Sequence, residues 1–403
     1  MEIRPICSAM LRNKTGVILV GLQIALTLAV VANALFIIMQ RVEKINRPSG
    51  LDSANTIFVQ SYGFGPSYDH RATVRRDLDL IRKLPGVLAA SNINHVPLSG
   101  SASASLYGAT PDPEKTNIPA NYFHIDEQGL TALGVKLVEG RAFNEIEIHY
   151  SEDPNSSDFV PSVIVTRDLA RALFGDEPAL GRNVYDGLGQ SAVVVGIIDN
   201  MLGAFWPGWD TPTQVMLQPR LSNGPTARYA VRAEPGQRDE LVGQIEKALV
   251  EADTARAITW VRPHTYFTER VYRADSRMVN FLLVIVVLMV AVTALGIVGL
   301  ASFQVSVRTK QIGTRRAVGA RRIDIIRYFM MENWLLTSAG VLVGTLLAFG
   351  FGHWLSTAYS LPRLQPWYVI GGVLVLWLLG QVAVFMPARR AAAIPPAIAT
   401  RTV

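Results

Sequence analysis

Residues 278–305 read MVNFLLVIVVLMVAVTALGIVGLASFQV, a run of 28 positions without a charged side chain. About 20 apolar residues in a helix cross the hydrocarbon core of a membrane, so this run predicts a transmembrane helix. Residues 16–39, 334–352 and 368–386 meet the same criterion. The chain of 403 residues is 50% hydrophobic and only 17% charged. This composition excludes an ordinary soluble enzyme and a disordered chain.

The first apolar run has some features of a secretory signal. Basic residues precede it, and Ala32-Asn33-Ala34 has the small-x-small form of a cleavage site. Its apolar run nevertheless continues to Met39, well beyond a signal core of about 7 to 15 residues. We therefore expect an uncleaved membrane anchor.

Basic residues are distributed unevenly along the chain. Residues 306–333 contain seven Lys and Arg, whereas residues 41–277 contain 24 basic and 29 acidic residues. Short loops rich in Lys and Arg stay in the cytoplasm. Both termini and residues 306–333 are therefore expected inside, and residues 41–277 outside. Topology then explains the net charge of +6, and no nucleic-acid partner is expected.

The outward segment, residues 41–277, is long enough to form one large or two smaller domains. Its pattern alternates strands with helices, and Thr166 is placed to cap the helix that follows it. The Ser- and Gly-rich stretch 95–105 is expected to be a loop. Three strand–helix–strand units are predicted: 56–60, 74–84 and a strand from 87; 162–165, 167–174 and 192–198; and 228–232, 238–250 and 257–261.

No catalytic residue and no metal ligand is assigned. Glu145, Glu147 and His149 alternate, so on a strand they would share one face, as in a metal site. A solvated polar edge explains the same residues and is preferred. The other histidines lack metal-ligand spacing, and a single cysteine, Cys7, excludes thiolate clusters and internal disulfides. The chain has no Gly-Lys pair and hence no phosphate-binding loop, so we expect it to bind no cofactor.

The apolar runs themselves contain no Asp, Glu, Lys or Arg. This absence argues against an ion-coupled carrier, which usually needs charged groups within the membrane. In the third run small residues recur at every fourth position, a stripe that lets a second helix approach closely. The stripe consists of Gly340, Gly344, Ala348 and Gly352.

The basic stretch 310–326, KQIGTRRAVGARRIDII, predicts two short helical pieces broken near Gly319. Two interpretations stay open. The stretch is either a basic helix resting on anionic lipid headgroups or a docking surface for a cytoplasmic partner. A helix-compatible segment, 266–277, precedes the second apolar run, so one long helix is expected to reach Val307 and to transmit movement.

Several motifs resemble those of the MacB/FtsX-type permeases of ABC transporters. In the membrane part these are QIGTRRAVGARR from Gln311, DIIR from Asp324, Glu332, and PARRAAAIPPAIA from Pro387. The outward segment resembles the MacB-like periplasmic core domain. Its motifs are LPGV (84–87), VPLSG (96–100), NYF (121–123), EGRAF (139–143) and LFGDEPALGR (173–182).

The resemblance implies an α-helical membrane protein with four transmembrane helices and a large α+β periplasmic domain inserted between the first and second. It implies a non-catalytic permease subunit of the bacterial inner membrane that works as a dimer, with a second copy or a sister permease. ATP and Mg²⁺ would bind a separate ABC ATPase subunit. Membrane lipids and a periplasmic adaptor or substrate protein are further expected partners.

The same resemblance places the ATPase-coupling surface at Gln311 to Asp324, within residues 306–333, which we call the coupling loop. Arg315, Arg316, Arg321 and Arg322 would be its charged contacts, and Gly313 and Gly319 would set its bend. The family commonly has Glu where Gln311 stands. The implied coupling residues are Gln311, Gly313, Arg315, Arg316, Gly319, Arg321, Arg322 and Asp324.

The expected domain organisation follows from the apolar runs and the charges. The segments are 1–15 (cytoplasmic N-terminus), 16–39 (first transmembrane helix), 41–277 (periplasmic core domain), 278–305 (second helix), 306–333 (coupling loop), 334–352 (third helix), 353–367 (periplasmic loop), 368–386 (fourth helix) and 387–403 (cytoplasmic tail).

Three functions compete for this architecture. The first is a permease of an ATP-driven export or mechanotransmission complex. The second is a lipoprotein-releasing permease, and the third is a division-type regulator that activates a periplasmic cell-wall hydrolase. The size of residues 41–277 and their resemblance to the exporter domain favour the first.

Overall fold

The computed structural model describes residues 14–65, 68–150, 159–205, 211–221, 224–359 and 362–395. The chain divides into a helical unit, Met1–Asn46 with Ala274–Val403, and an α+β unit, Arg47–Arg273. The helices are α1 (Lys14–Ile45), α2 (His70–Arg82), α3 (Gly129–Leu133), α4 (Arg167–Phe174), α5 (Arg238–Ala252), α6 (His264–Val307), α7 (Thr309–Ala317), α8 (Arg322–Tyr359) and α9 (Pro366–Ala392).

The strands all lie in the α+β unit. They are β1 (Thr56–Gly63), β2 (Val87–Asn92), β3 (Ser103–Tyr107), β4 (Ile118–Ile125), β5 (Leu137–Gly140), β6 (His149–Tyr150), β7 (Ser162–Thr166), β8 (Asn183–Tyr185), β9 (Ser191–Ile198), β10 (Val215–Leu221), β11 (Thr226–Ala233) and β12 (Arg256–Pro263). The predicted fold class is confirmed: four helices are long and apolar enough to cross a membrane, and an α+β unit is inserted between the first and second.

Each long helix extends beyond its apolar run. α6 begins 14 residues before Met278, and α9 continues through Pro387 to Ala392. Helical hydrogen bonding does not stop where the side chains become polar, because the flanking residues are themselves compatible with a helix. The helices are therefore longer than the segments that hydropathy alone identifies.

α1 and α8 pack closely through small residues. A Cβ atom added to Gly340 would lie 2.9 Å from the Gly21 carbonyl oxygen, and one added to Gly344 would lie 2.9 Å from the Cα atom of Ala25. Ala348 is fully buried, and its carbonyl oxygen accepts a hydrogen bond of 3.1 Å from Nδ2 of Asn33. The structure thus places the small-residue stripe of α8 against α1.

α6 makes polar contacts with α1. The hydroxyls of Thr27 and Thr293 are 2.7 Å apart, and both side chains are buried. Near one end of α1, the Asp275 carboxylate is 2.6 Å from Nη1 of Arg41 and 3.0 Å from Nζ of Lys44. These contacts connect α6 to α1 at two separate levels.

The first sheet of the α+β unit has the strand order β12-β1-β11-β2, with antiparallel neighbours. The first and third predicted strand–helix–strand units interleave here. β11 lies between β1 and β2, and β1 lies between β11 and β12. This is the split βαβ arrangement of ferredoxin-like folds. Beneath the sheet, the buried Asp77 carboxylate accepts a hydrogen bond from the Tyr229 hydroxyl and pairs with Arg256.

The second sheet has the order β3-β4-β10-β7-β9-β5, with β6 beside β10 and β8 beside β9. β7, α4 and β9 form the second predicted unit, and β7 and β9 are parallel neighbours. The predicted cap is confirmed, because Oγ1 of Thr166 accepts a hydrogen bond from the Leu169 amide. The expected loop 95–105 is wrong at its end, where residues from Ser103 pair with β4.

Asn94 connects the two sheets of the α+β unit. Its side-chain oxygen accepts hydrogen bonds from the amides of His95 and His124, at 3.0 and 2.9 Å. Burial lowers the pKa of His124 to about 3, with smaller contributions from nearby cationic groups. Burial and then Arg228 lower the pKa of His95 to about 4. Both histidines are therefore neutral near pH 7.

We predict that Gly344→Ala destabilises the chain by about 1–3 kcal/mol, because the new methyl group meets the α1 backbone in a packed interface. The measurement is the thermal unfolding midpoint of the purified chain in detergent. Gly350→Ala is the matched control, since Gly350 lies on the exposed face of α8 with no atom within 4 Å of the added Cβ. Equal midpoints for the two variants would contradict the close packing of α1 and α8.

We also predict that the α+β unit loses stability as the pH falls from 7 to 5. An unfolded histidine has a pKa of about 6.5, and the folded pKa of His124 is about 3. Between these values the unfolded state binds more protons, so stability is full above about pH 6.5 and is lost below it. His124 alone accounts for about 2 kcal/mol at pH 5.

The measurement is denaturant unfolding of the intact chain, followed by tryptophan fluorescence at both pH values. His124→Gln is expected to weaken the pH dependence. The control is His149→Gln, which replaces an exposed histidine of β6 and should leave the dependence as it is in the wild type. A wild-type unfolding curve that is identical at pH 7 and pH 5 is incompatible with this prediction.

Candidate functional site

The coupling loop consists of α7, a short turn and the beginning of α8. Arg308 alone separates the end of α6 from the start of α7. The predicted break near Gly319 is confirmed: α7 ends at Ala317, and Gly319 has φ +107° in open space. The second helical piece is not short, however. It is the start of the 38-residue helix α8, because nothing between Ile326 and Trp334 interrupts the helix.

Gly313 does not set the bend. It lies inside α7 and is buried, whereas Gly319 lies in the turn after α7. Glycine lowers helix stability by roughly 1 kcal/mol relative to alanine, but neighbouring contacts hold α7 in place. The buried Ile312 next to it belongs to an apolar cluster with Ile325, Phe329 and residues of α9.

Arg316 is not an exposed contact. Its side chain is half-buried, and Nη1 donates a hydrogen bond to the carbonyl oxygen of Ala392, the last residue of α9. A cation at the C-terminus of a helix also interacts favourably with the helix dipole. Arg316 therefore holds α7 to the end of α9.

Asp324 acts as a cap. Its carboxylate accepts a hydrogen bond of 3.0 Å from the Arg321 amide, and its own amide donates to the Arg321 carbonyl oxygen at 3.1 Å. This reciprocal pattern is that of a helix N-terminus with an acidic side chain in the first turn. Asp324 thus fixes where α8 begins.

The exposed face of the coupling loop carries only positive charge. Its two carboxylates, Asp324 and Glu332, are both used within the chain, one as the cap and one beside Arg308. Val318 is 85% exposed and Ile323 is 47% exposed, so apolar side chains lie among the cations. The exposed residues are Ser306, Val307, Lys310, Gln311, Thr314, Arg315, Ala317, Val318, Gly319, Arg321, Arg322, Ile323 and Arg327.

The alternating acidic motif of the outward segment does not form one strand. Residues Glu145–Glu147 are a 3₁₀ turn, and only His149 is in β6. Arg141 holds the Glu147 carboxylate through two nitrogen–oxygen contacts of 2.7 and 2.8 Å and lowers its pKa to about 2. Across the described residues, no group of three or more His, Cys, Asp or Glu is placed to bind a metal ion.

Comparison with known families covers most of the chain. Residues 22–248 match the family described as the MacB-like periplasmic core domain, and residues 283–396 match the FtsX-like permease C-terminal family. The chain belongs to the MacB/FtsX-type family of ABC transporter permeases. It is therefore a membrane protein with a periplasmic domain, and that domain is the α+β unit.

Individual relatives agree with this family. The macrolide export ATP-binding/permease protein MacB of Chromobacterium violaceum is 28% identical over 65% of this chain and 40% of the relative. The uncharacterized ABC transporter permease YknZ of Bacillus subtilis is 24% identical over 69% of this chain and 72% of the relative. The chain thus spans less than half of that MacB relative. The periplasmic region of MacB from Actinobacillus actinomycetemcomitans aligns at a TM-score of 0.34 and 15% identity, covering 57% of this chain and 97% of that region.

Sequence patterns missed two features of the coupling loop of this permease. Val318 lies just beyond the end of α7 and is exposed, and the sequence shows it only as one of several apolar residues among basic ones. The contact between Arg315 and the Tyr328 ring, 5.1 Å from guanidinium carbon to ring centroid, joins α7 to α8 and had no signal in the sequence. Gln311 itself is exposed on α7.

We predict that Asp324→Ala destabilises the start of α8 by about 1 kcal/mol, the usual effect of losing a helix cap. Hydrogen exchange of the amides of residues 321–325 should become faster. The matched control is Arg327→Ala, an exposed position on the same helix, where we expect a change within about 0.5 kcal/mol. Unchanged exchange in Asp324→Ala would mean that the carboxylate does not cap α8.

Proposed function

We propose that this chain is the non-catalytic permease subunit of an ATP-driven transporter and that a separate ABC ATPase docks on its coupling loop. ATP hydrolysis on that partner moves the periplasmic domain, for export or mechanotransmission. The chain itself binds no cofactor, and ATP and Mg²⁺ bind the partner. The relative YknZ of Bacillus subtilis is named an ABC transporter permease, which supports a separate ATPase chain.

The observation that carries this proposal is the exposed face of the coupling loop. Its cations surround the apolar Val318 and Ile323, and its carboxylates are engaged internally. An apolar centre within a charged rim is the usual anatomy of a protein interface. A helix that only rested on lipid headgroups would instead bury its apolar side chains on the face opposite its cations.

The membrane topology is also part of the proposal. The coupling loop carries seven basic residues, so the positive-inside rule places it, together with both termini, in the cytoplasm. The periplasmic domain then lies on the other side of a bacterial inner membrane. This arrangement puts the loop where an ATPase has access to ATP.

A second permease completes the complex, either another copy or a sister chain. In the most apolar 18-residue stretch of α6, only 11% of the residues are buried within this chain. Phe281, Val287 and Leu295 are each at least 64% exposed. Lipid and a second permease are the apolar partners that such a surface fits in a membrane. A periplasmic adaptor or a substrate protein would bind the periplasmic domain.

The proposal predicts that Val318→Asp, and separately Arg315→Glu with Arg322→Glu, lower recovery of an ATPase with the tagged chain by about tenfold or more, as expected for residues at the centre of an interface. The measurement is a membrane pull-down with quantitative mass spectrometry. Arg316 is left unchanged because it holds α7 to α9.

The matched control is Arg389→Glu, which reverses one charge at an exposed position of α9 and should recover the ATPase as the wild type does. If no ATPase accompanies the wild type, a membrane-anchored binding or regulatory protein becomes the better interpretation. If the variants recover as much ATPase as the wild type, the docking surface lies elsewhere.

A further inference from the structure

A continuous series of contacts leads from the coupling loop into the helix bundle. Arg315 lies over the ring of Tyr328. The Tyr328 hydroxyl accepts a hydrogen bond of 3.3 Å from Nη1 of Arg308, and the same nitrogen is 3.0 Å from Oε2 of Glu332. The exposed face of α7 is thereby connected to a buried carboxylate of α8.

Arg308 occupies the junction between two helices. It is the one residue between the end of α6 and the start of α7, and its φ of −101° and ψ of 13° lie outside the regular helix. Any change in the angle between these helices must therefore involve its backbone. Its side chain is fixed at the same time by Tyr328 and Glu332, both on α8.

The pair formed by Arg308 and Glu332 is largely removed from water. The Arg308 side chain is 14% exposed and that of Glu332 is 4% exposed. In such surroundings the attraction between opposite charges is much less screened than at a surface, and loss of one partner leaves the other buried and uncompensated. The pair therefore holds the junction more firmly than an exposed ion pair would.

The second oxygen of Glu332 points to a further contact. Among the described residues, Oε1 makes no hydrogen bond, and neither does Nδ2 of Asn333. Both residues line a cavity of about 20 Å³ together with Gln304 of α6. The rest of the lining is apolar, but a cavity of this size with three polar side chains fits one water molecule. A water bound there would connect the Glu332 carboxylate to α6 as well.

Few other contacts hold α7. It has nine residues, which is too short for a helix that is stable by itself. Ile312 packs in the apolar cluster, and Arg316 connects α7 to α9. Two contacts connect this region to α8: Arg315 lies over the Tyr328 ring, and Arg308, which precedes α7, pairs with Glu332.

We propose that Glu332 is the positioning residue of the coupling loop: by holding Arg308, it fixes the angle of α7 and transmits movement of α7 to α8. That α7 is moved by an ATPase rests on the proposed function. That Glu332 fixes α7 does not, and it is testable on this chain alone.

The first experiment measures the orientation of α7 in the full-length chain in detergent. Spin labels are placed at Thr314→Cys on α7 and Ala339→Cys on α8, both exposed, in a Cys7→Ser background. Glu332→Gln and Arg308→Gln should each broaden the distribution of distances between the two labels by about twofold. Each variant removes the ion pair that fixes the residue between α6 and α7. Glu332→Asp, which keeps the charge, should broaden it less.

Two controls separate positioning from general instability. Arg327→Gln removes an exposed cation of α8 and should leave the distribution unchanged. A second label pair, Leu19→Cys on α1 with Ala339→Cys, reports whether the bundle is intact, and it should not broaden in Glu332→Gln. If Glu332→Gln disturbs the bundle, a variant with the two charges exchanged, Arg308→Glu with Glu332→Arg, separates the two explanations. It should restore the narrow distance distribution if the ion pair positions α7.

A Glu332→Gln distribution as narrow as the wild type would overturn the proposal. The proposal would also be overturned if Arg308→Glu with Glu332→Arg failed to restore the narrow distance distribution. The ion pair would then stabilise the fold without fixing the position of α7.

The second experiment tests transmission in the complex with the co-purified ATPase. Glu332→Gln should recover the ATPase within about twofold of the wild type, since its carboxylate is buried away from the docking face. The change in the distance between labels at Ala291→Cys on α6 and Ala339→Cys on α8, both exposed, on adding ATP and vanadate should be lost. A normal ATP-driven change in this variant would overturn transmission through Glu332. If no ATPase co-purifies with the wild type, the proposed function is overturned. The conclusion that Glu332 fixes α7 would still stand or fall on the first experiment, which uses this chain alone.

Discussion

The close approach of α1 and α8 is the interaction on which the helical unit depends. Lipid gives no hydrophobic driving force between helices, so association in a membrane relies on close packing and a few hydrogen bonds. Gly340 and Gly344 bring the two backbones together, and Asn33 bonds across at the buried Ala348. α1 precedes the α+β unit and α8 follows it. The contact therefore holds together two parts of the helical unit that are separated in sequence by more than 200 residues.

The sequence was informative wherever a property is local. Apolar runs of 19 or more residues identified the four long helices found among the described residues. β7, α4 and β9 were predicted as consecutive elements, because Thr166 supplies the cap between a buried strand and an amphipathic helix. Contacts between neighbours in sequence determine each of these features, so pattern and capping rules suffice for them.

Other features depended on partners distant in sequence. The interleaving of β1, β2, β11 and β12 pairs strands separated by more than 130 residues, and no periodicity specifies which strand lies between two others. Gly313 looked like a hinge, yet burial and the neighbouring Ile312 keep it helical. Arg316 looked like a surface cation, and only the end of α9 shows that its side chain bonds to Ala392. The position of a residue in a motif does not show whether its side chain is bonded within the chain or exposed.

The cations of the coupling loop also differ in whether they are bonded within the chain or exposed. Arg308 and Arg316 are engaged by Glu332 and by the Ala392 carbonyl, whereas Arg321 and Arg322 are exposed. Asp324 neutralises the helix start instead of an exposed arginine. The loop therefore has an inner group of charges that is bonded within the chain and an outer group that is exposed. Because Arg315 contacts Tyr328 while remaining exposed, it belongs to both groups. A force applied to the outer face reaches the inner group through this residue.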